Sequence, residues 1–186
     1  EQSTVKKYEL LTNDTIELGG GVTLFRIKAL ISFGNVEKGE LGGYVEKEDN
    51  LCHSGNAWVT GNAMVYGNAR VYSNADVSGN AKVYDNALVS GYAKVTDTAR
   101  VFDNARVFGD AKVSDDAKVS DNAKVTDNAL VYGNAWVSGD ARVTDNAWVT
   151  GNAKVTGNAE VTNIAWVTGN AKVTGNAKVY GGELLN

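Results

Sequence analysis

Small apolar residues recur along most of the chain with a strict period of six. Alanine occupies every sixth position from Ala57 to Ala177, and valine occupies the position two residues later, from Val59 to Val179. No insertion or deletion interrupts these 21 hexads. Residues two apart on a strand point to the same face, so Ala and Val point one way and the residue between them points the other. The pattern therefore predicts one short strand per hexad with one apolar face.

Each predicted strand is followed by residues typical of a turn. The hexad runs Gly or Asp, Asn, Ala, any residue, Val, and then Thr, Ser or an aromatic residue, as in residues 151–156. Gly, Asn and Asp tolerate left-handed backbone and bond locally, which predicts a corner after every strand. A helix is a poor alternative, because a period of six does not match 3.6 and the Gly-Asn pairs would break it. We expect stacked coils around a narrow Ala/Val core, since one hexad cannot bury its apolar face alone.

The hexad resembles a known repeat. Val-x-Gly/Asp-Asn-Ala-x is similar to the hexapeptide repeat of left-handed parallel β-helices, whose aliphatic residue and small residue four positions later match Val155 and Ala159. The position after Val departs from that family, because it holds Thr, Ser or an aromatic residue where the family often has Gly or an acid. The resemblance covers residues 55–180. It implies three hexads per triangular coil, and hence an all-β, left-handed parallel β-helix of about seven coils.

A narrower resemblance lies just before the repeat. Residues 41–51, together with His53 and Gly55-Asn56, are similar to bacterial and phage hexapeptide-repeat proteins labelled uncharacterised acetyltransferases, whose activity is inferred from the repeat itself. The wider family includes acyltransferases, carbonic-anhydrase-like proteins and non-catalytic scaffolds. The resemblance thus implies a fold more specifically than a function.

The repeat divides the chain into three parts. Residues 1–50 precede it, and residues 8–11 and 15–18 flank Thr12-Asn13-Asp14 in a way that predicts a hairpin turning there. Residues 22–30 are predicted to form a further strand, with one or two helical turns as the alternative. We expect this segment to cap the solenoid of residues 51–182, because a solenoid end leaves unpaired backbone. Residues 183–186 form a short tail, which either folds over the last coil or leaves an open edge for another chain.

Composition and charge narrow the possible partners and cofactors. With 18 Lys+Arg against 22 Asp+Glu, the chain lacks the basic footprint of a nucleic-acid-binding protein. The sequence contains no run of 18 apolar residues, so no membrane span is predicted. A single Cys and a single His leave only Cys52 and His53 for a Cys/His metal site, and no cofactor is predicted. The chain begins with Glu and has no visible leader, which fits processing or trimming and leaves its location open.

Outward positions carry aromatic columns, in which residues 18 apart stack on successive coils. All four Trp occupy the slot between Ala and Val. Contiguous apolar patches usually mark contact with something, so we expect a subunit interface, with glycan stacking or packing within the chain as alternatives. The predicted interface residues are one column (Leu130, Trp148 and Trp166), Trp136 on the adjacent face, a second column (Tyr66, Tyr84 and Phe102, beside Tyr72 and Phe108) and Tyr180 at the last coil.

The remaining outward columns have simpler interpretations. Basic residues share the outward slot and acids lie mostly at corners, which indicates a solvated surface. The corner column Asp85, Asp103 and Asp121 would suit a divalent cation, but Asp is also a good corner residue, and no metal site is predicted. Threonine fills the slot after Val from Thr144 to Thr174, where it is interpreted as a β-former rather than as an ice-binding rank.

Two classes of function follow from these residues. The resemblance implies an acyl-CoA-dependent hexapeptide acyltransferase, which would use a His base in a groove between subunits and often a loop extruded over the acyl-CoA. The repeat contains neither an inserted loop nor a His. By hexad register, His53 takes the slot of the inward Val and Leu51 that of Ala, so His53 is predicted to be buried in the cap. Cys52 lacks an activating group, because its neighbour His53 should face the other way.

The second class, a non-catalytic structural solenoid that assembles with copies of itself, is the function that the sequence favours. Pairing at the C-terminal edge would give head-to-tail fibres, because a contact that does not close propagates. Pairing along the Trp column would instead give closed trimers. The sequence does not choose between these arrangements, although the bare C-terminal edge favours fibres slightly. A glycan- or partner-binding module is the remaining alternative.

Overall fold

Each hexad forms a strand of two residues, made of the outward residue and the Val that follows it. The structure, a computed structural model, describes residues 5–185. Its strands are β1 (Tyr8–Gly19), β2 (Val22–Ala29), β3 (Leu41–Val45), β4 (Trp58–Val59), β5 (Met64–Val65), β6 (Arg70–Val71), β7 (Asp76–Val77), β8 (Lys82–Val83), β9 (Leu88–Val89), β10 (Lys94–Val95), β11 (Arg100–Val101), β12 (Arg106–Val107), β13 (Lys112–Val113), β14 (Lys118–Val119), β15 (Lys124–Val125), β16 (Leu130–Val131), β17 (Trp136–Val137), β18 (Arg142–Val143), β19 (Trp148–Val149), β20 (Lys154–Val155), β21 (Glu160–Val161), β22 (Trp166–Val167), β23 (Lys172–Val173), β24 (Lys178–Val179) and β25 (Glu183–Leu184). A 3-10 turn, Glu48–Asn50, lies between β3 and β4.

The strands form three sheets, which are the three faces of a solenoid. Face I is the sheet of β4, β7, β10, β13, β16, β19, β22 and β25. Face II runs β1, β2, β3, β5, β8, β11, β14, β17, β20 and β23, and face III runs β6, β9, β12, β15, β18, β21 and β24. Hexad strands 18 residues apart pair in parallel, as Lys94 does with Lys112 and Val95 with Val113.

Each face therefore holds seven hexad strands, and the predicted seven coils of an all-β parallel solenoid are confirmed. The left-handed winding that the resemblance implies stays a prediction. No helix among the described residues is long and apolar enough to cross a membrane.

The Ala and Val side chains of the repeat fill the core of the solenoid. From Ala57 to Val173 every Ala and Val of the repeat is at most 2% exposed. The last hexad differs from the expectation that all of them share the core, because Ala177 is exposed and Val179 is half-buried. No following coil covers these two residues within the described part of the chain.

The corners use left-handed backbone at the first position of every hexad, as the turn residues predict. The glycines there have φ between 63° and 77°, and the Asp, Ser and Asn residues at the same position have φ between 54° and 59°. In the predicted Asp column, Asp103 donates its backbone N–H to the Asp85 carboxylate at 3.3 Å, and Asp121 does the same to Asp103 at 3.2 Å. These carboxylates therefore tie neighbouring coils together, which explains the column without a cation.

The N-terminal segment forms a hairpin, but the predicted turn at residues 12–14 is wrong. β1 and β2 are antiparallel, and the chain turns at Gly20-Gly21, where φ is 60° and 81°. Residues 12–14 form an irregularity inside β1, since the register jumps between Leu11 and Thr15. Contacts with distant residues hold this excursion in place, because the Asp14 carboxylate accepts hydrogen bonds from Arg26 Nε at 2.7 Å and from the Tyr44 hydroxyl at 2.9 Å.

Strand β3 joins the hairpin to the solenoid. It pairs antiparallel with β2 and parallel with β5, so face II begins before the first hexad. Residues 22–29 form a strand, and the helical alternative for this stretch is wrong. Tyr8, Ile27 and Ala29 pack into the same core as the hexads, as expected of a segment that caps the first coil.

The C-terminal residues partly fold over the last coil. β25 pairs with β22, with Glu183 opposite Trp166 and Leu184 opposite Val167. This spacing is one residue shorter than in the repeat, and it brings Leu184 against the core while Leu185 stays exposed. The tail was predicted either to fold over the last coil or to leave an open edge, and it folds over the coil at Leu184 only.

Candidate functional site

Face I carries the predicted aromatic column on three neighbouring strands. Leu130 pairs with Trp148, and Trp148 pairs with Trp166. The two indole rings meet edge to face, with centroids 5.8 Å apart and an interplanar angle of 74°. Trp148 also contacts Tyr132 edge to face at 6.3 Å. Because all three residues of the column occupy the outward slot, 40% of Trp148 and 39% of Trp166 stay exposed.

The corner between faces III and I extends this apolar surface. Ile164 is 74% exposed, and its side chain lies close to the backbone of Gly181. Tyr180, a predicted interface residue, follows β24 at the same corner and is also largely exposed. Sequence reasoning missed Ile164, although a signal was present, because this slot is Asn or Asp in almost every other hexad.

Charged residues bound the aromatic column at both ends. On the N-terminal side Leu130 pairs with Lys112, and on the C-terminal side Trp166 pairs with Glu183. On the neighbouring face III, Glu160 and Lys178 approach each other to 3.8 Å. An apolar centre with a charged rim is the usual arrangement of a protein–protein interface. We call Leu130, Trp148, Ile164, Trp166 and Tyr180 the association surface.

Trp136 is not joined to this surface. It lies on face II, where its indole N–H donates to the Ser120 hydroxyl at 2.8 Å and Lys118 Nζ lies 5.6 Å from the ring centroid. The indole leans back over the preceding coil and leaves Ser120 only 1% exposed. The expectation that Trp136 flanks the Trp148–Trp166 column is therefore replaced by a separate contact, although 38% of Trp136 is exposed.

The second predicted column is a continuous aromatic ladder at the corner between faces II and III. Tyr66 stacks on Tyr84 and Tyr84 on Phe102, each with a centroid distance of 5.1 Å and an interplanar angle of at most 3°. Burial raises the pKa of both tyrosines. The three rings stack on one another within the chain, so an interface role for them stays a prediction.

His53 lies in the cap, but not in the slot that hexad register gave it. Leu51 bridges to Val71, so Leu51 takes the place of an inward Val and His53 falls in the corner beyond it. This corner is two residues longer than a hexad corner, which the sequence period could not reveal.

The ring of His53 is packed and bonded on the cap side. It stacks on Tyr8 with centroids 4.3 Å apart, and its Nδ1 accepts the Lys7 N–H at 3.0 Å. Within residues 5–185, Nε2 has no hydrogen-bond partner, and Glu48 Oε2 is 3.9 Å away. Burial lowers the pKa of His53, against the opposing effect of Glu48, which favours the neutral form of the ring.

Cys52 and Lys7, which lie beside His53, also have shifted pKa values. The pKa of Cys52 is lowered: burial opposes this shift, and hydrogen bonds with Ser54 and the charges of Lys7 and Arg70 outweigh burial. Burial lowers the pKa of Lys7 to about 8. The Lys7 ammonium donates to the Ala57 carbonyl at 2.7 Å and lies 4.7 Å from the centre of the Phe33 ring. These contacts fix the N-terminal segment to the first coil.

Nothing in the described residues assembles a metal site. No group of three or more His, Cys, Asp or Glu side chains between residues 5 and 185 is placed to hold an ion together. The carboxylates of the Asp corner column accept hydrogen bonds from backbone N–H groups, as described above.

Comparison with known families agrees with this architecture. Residues 99–115 and 135–151 match the family model described as YdcK Beta solenoid repeat. The hexads are β-solenoid repeats. A comparison with curated proteins finds no match for this chain. The similarity to hexapeptide-repeat acetyltransferases stays a prediction, and the repeat match extends to the fold alone.

Proposed function

We propose that this solenoid is a non-catalytic structural module that associates side by side with a second copy through the association surface. The observation that carries the proposal is the pair of stacked indoles, Trp148 and Trp166, each about 40% exposed on successive coils. Single exposed apolar residues are ordinary, but a contiguous patch of this kind on a rigid face usually meets a partner.

The exposed indole surface is large enough to support association. Each Trp leaves about 100 Å² uncovered, taking roughly 250 Å² for a whole side chain. Burying that area stabilises a complex by about 2.5 kcal/mol per Trp. Two copies with two Trp each would gain about 10 kcal/mol, which is comparable to the cost of association. The two indoles therefore supply the centre of an interface rather than the whole of it.

A second copy is the occupant that fits this face. A copy presents the same column with the same coil spacing, so its rings match the spacing of the first. The order of charges favours an antiparallel pair, in which Lys112 of each copy lies opposite Glu183 of the other. In a parallel trimer the same lysines would converge, and like charges across an interface oppose association. We therefore favour a two-fold pair over the closed trimer implied by related folds.

The cap geometry supports a non-catalytic role. A general base needs a ring nitrogen that reaches a substrate proton. One ring nitrogen of His53 accepts the Lys7 N–H, and the other is enclosed near Glu48. The ring is thus engaged in fixing the cap to the first coil.

Sedimentation equilibrium tests the association. The Trp148→Ser, Trp166→Ser double variant should abolish measurable self-association, because it removes about 5 kcal/mol of apolar burial from each subunit, or about 10 kcal/mol from the pair, and each 1.4 kcal/mol changes the affinity tenfold. Trp136→Ser is the matched control, since it removes an equally exposed indole from another face and should leave association unchanged.

Three outcomes would contradict the proposal. A wild-type protein that is monomeric at high micromolar concentration would refute self-association. Equal loss in the Trp136→Ser control would show that the effect does not belong to face I. Fibres that persist in the double variant would indicate pairing between end strands instead.

A further inference from the structure

The corner between faces III and I contains an aromatic ladder with its middle ring missing. Tyr72, Ser90 and Phe108 follow Val on three successive strands of face III, β6, β9 and β12. At the neighbouring corner of the same coils, the equivalent residues are Tyr66, Tyr84 and Phe102, which stack without a gap. Ser90 thus stands where the other ladder has Tyr84.

The gap is one aromatic ring thick. Each step of the complete ladder is 5.1 Å. Two such steps separate Tyr72 from Phe108 by about 10 Å, so a ring placed midway lies at the usual stacking distance from both. The structure has a cleft of about 220 Å³ at this point, lined by Tyr72, Leu88, Ser90, Arg106 and Phe108.

The cleft has an apolar wall and one unpaired positive charge. Leu88 replaces the basic residue usual in the outward slot and pairs with Arg70 on one side and Arg106 on the other. Among residues 5–185, no carboxylate lies within ion-pair distance of Arg106. No acidic side chain lines the cleft. A ligand here would stack its ring and present an anion to the guanidinium, which suits carboxylates well.

We infer that the Tyr72–Phe108 cleft is a binding site for a small planar aromatic anion, whose ring fills the missing rung above Ser90 and whose negative group meets Arg106. This site is separate from the association surface, which lies on β16 to β24. A negative result for one proposal would therefore leave the other unaffected.

Ligand-observed and protein-observed NMR with benzoate tests the site. We expect a dissociation constant of about 1 mM, as for a small fragment. Cyclohexanecarboxylate has the same charge but a puckered ring, and benzyl alcohol is planar but neutral. Both should bind at least fivefold more weakly. Preference for cyclohexanecarboxylate, or for the pyranose methyl glucoside, would overturn the assignment to aromatic anions.

Two variants separate the cleft from the rest of the surface. Ser90→Tyr supplies the missing ring, so it should abolish benzoate binding while raising the melting temperature, as a third stacked ring predicts. Arg106 is exposed, so we expect Arg106→Gln to keep the fold. It should weaken benzoate about fivefold and leave benzyl alcohol unchanged. Benzoate binding that survives both variants, or no binding at tens of millimolar, would refute the inference.

Discussion

The narrow core makes Ala117→Leu a sharp test of the fold. Ala117 is fully buried, and its column neighbours Ala99 and Ala135, one coil away on either side, are fully buried too. Adjacent coils are about 4.8 Å apart, so a longer side chain cannot bend along the solenoid axis. It has to push across the core towards the Val side chains of the same coil, which are also fully buried.

The expected cost lies at the upper end for overpacking. Inserting extra methylenes into a packed core lowers the free energy of unfolding by about 1–3 kcal/mol. Because Leu adds three carbons where there is no free volume, we expect a loss of about 3 kcal/mol. With a urea m-value of about 2 kcal/mol/M, the midpoint of unfolding should fall by about 1.5 M. The melting temperature should fall by about 6–12 °C for a chain of this length.

Urea unfolding followed by circular dichroism measures the effect, with Ala177→Leu as the matched control. Ala177 occupies the same hexad slot in the last coil but is exposed, so the identical substitution there should change the midpoint by little. Because stacked repeats can unfold in parts, the m-values of the variants should be compared as well. Equal midpoints for Ala117→Leu and wild type would refute the narrow-core reasoning.

Two further predictions concern the cap. Because burial lowers the Lys7 pKa to about 8 from 10.5, the unfolded chain binds more protons in this window and folding should become more favourable as pH rises. Between pH 8 and 9.5 we expect the free energy of unfolding in urea to rise by roughly 2 kcal/mol. The measurement uses a Cys52→Ser background, because Cys52 titrates with the same sign. An equally steep pH dependence in Lys7→Met would contradict an origin in Lys7. Calorimetric titration with CoA should show no binding, and acetyl-CoA should undergo no acyl transfer, because the repeat has neither an inserted loop nor a His, and His53 is engaged with Lys7 and Tyr8. CoA binding that disappears in His53→Ala would restore the acyltransferase hypothesis.

The architecture could be predicted from the sequence because its determinants are local. Ala and Val two positions apart define the inward face of each strand, as Ala117 and Val119 illustrate. The residue at the start of each hexad has to adopt positive φ, and Gly, Asp, Asn and Ser at that position do so throughout. Once coils hold three hexads each, residues 18 apart must stack, and the Trp148–Trp166 contact follows.

The exceptions depend on residues that are distant in sequence. Asp14 is held by Arg26 and Tyr44, so the chain does not turn at Thr12–Asp14 as its composition predicted, but continues to Gly20-Gly21. Leu51 takes an inward Val position because it pairs with Val71, which moves His53 out of the slot that counting assigned to it.

Side-chain direction is the other property that counting along the chain could not supply. The period placed Trp136 on an outward face, but only the tertiary structure decided that its indole leans onto Ser120 and away from the association surface. The sequence likewise contains Tyr72, Ser90 and Phe108 at their proper spacing, yet the cleft between them exists only once three coils are stacked. Periodicity determines which face a residue occupies, whereas packing between coils determines what each side chain contacts and which gaps remain.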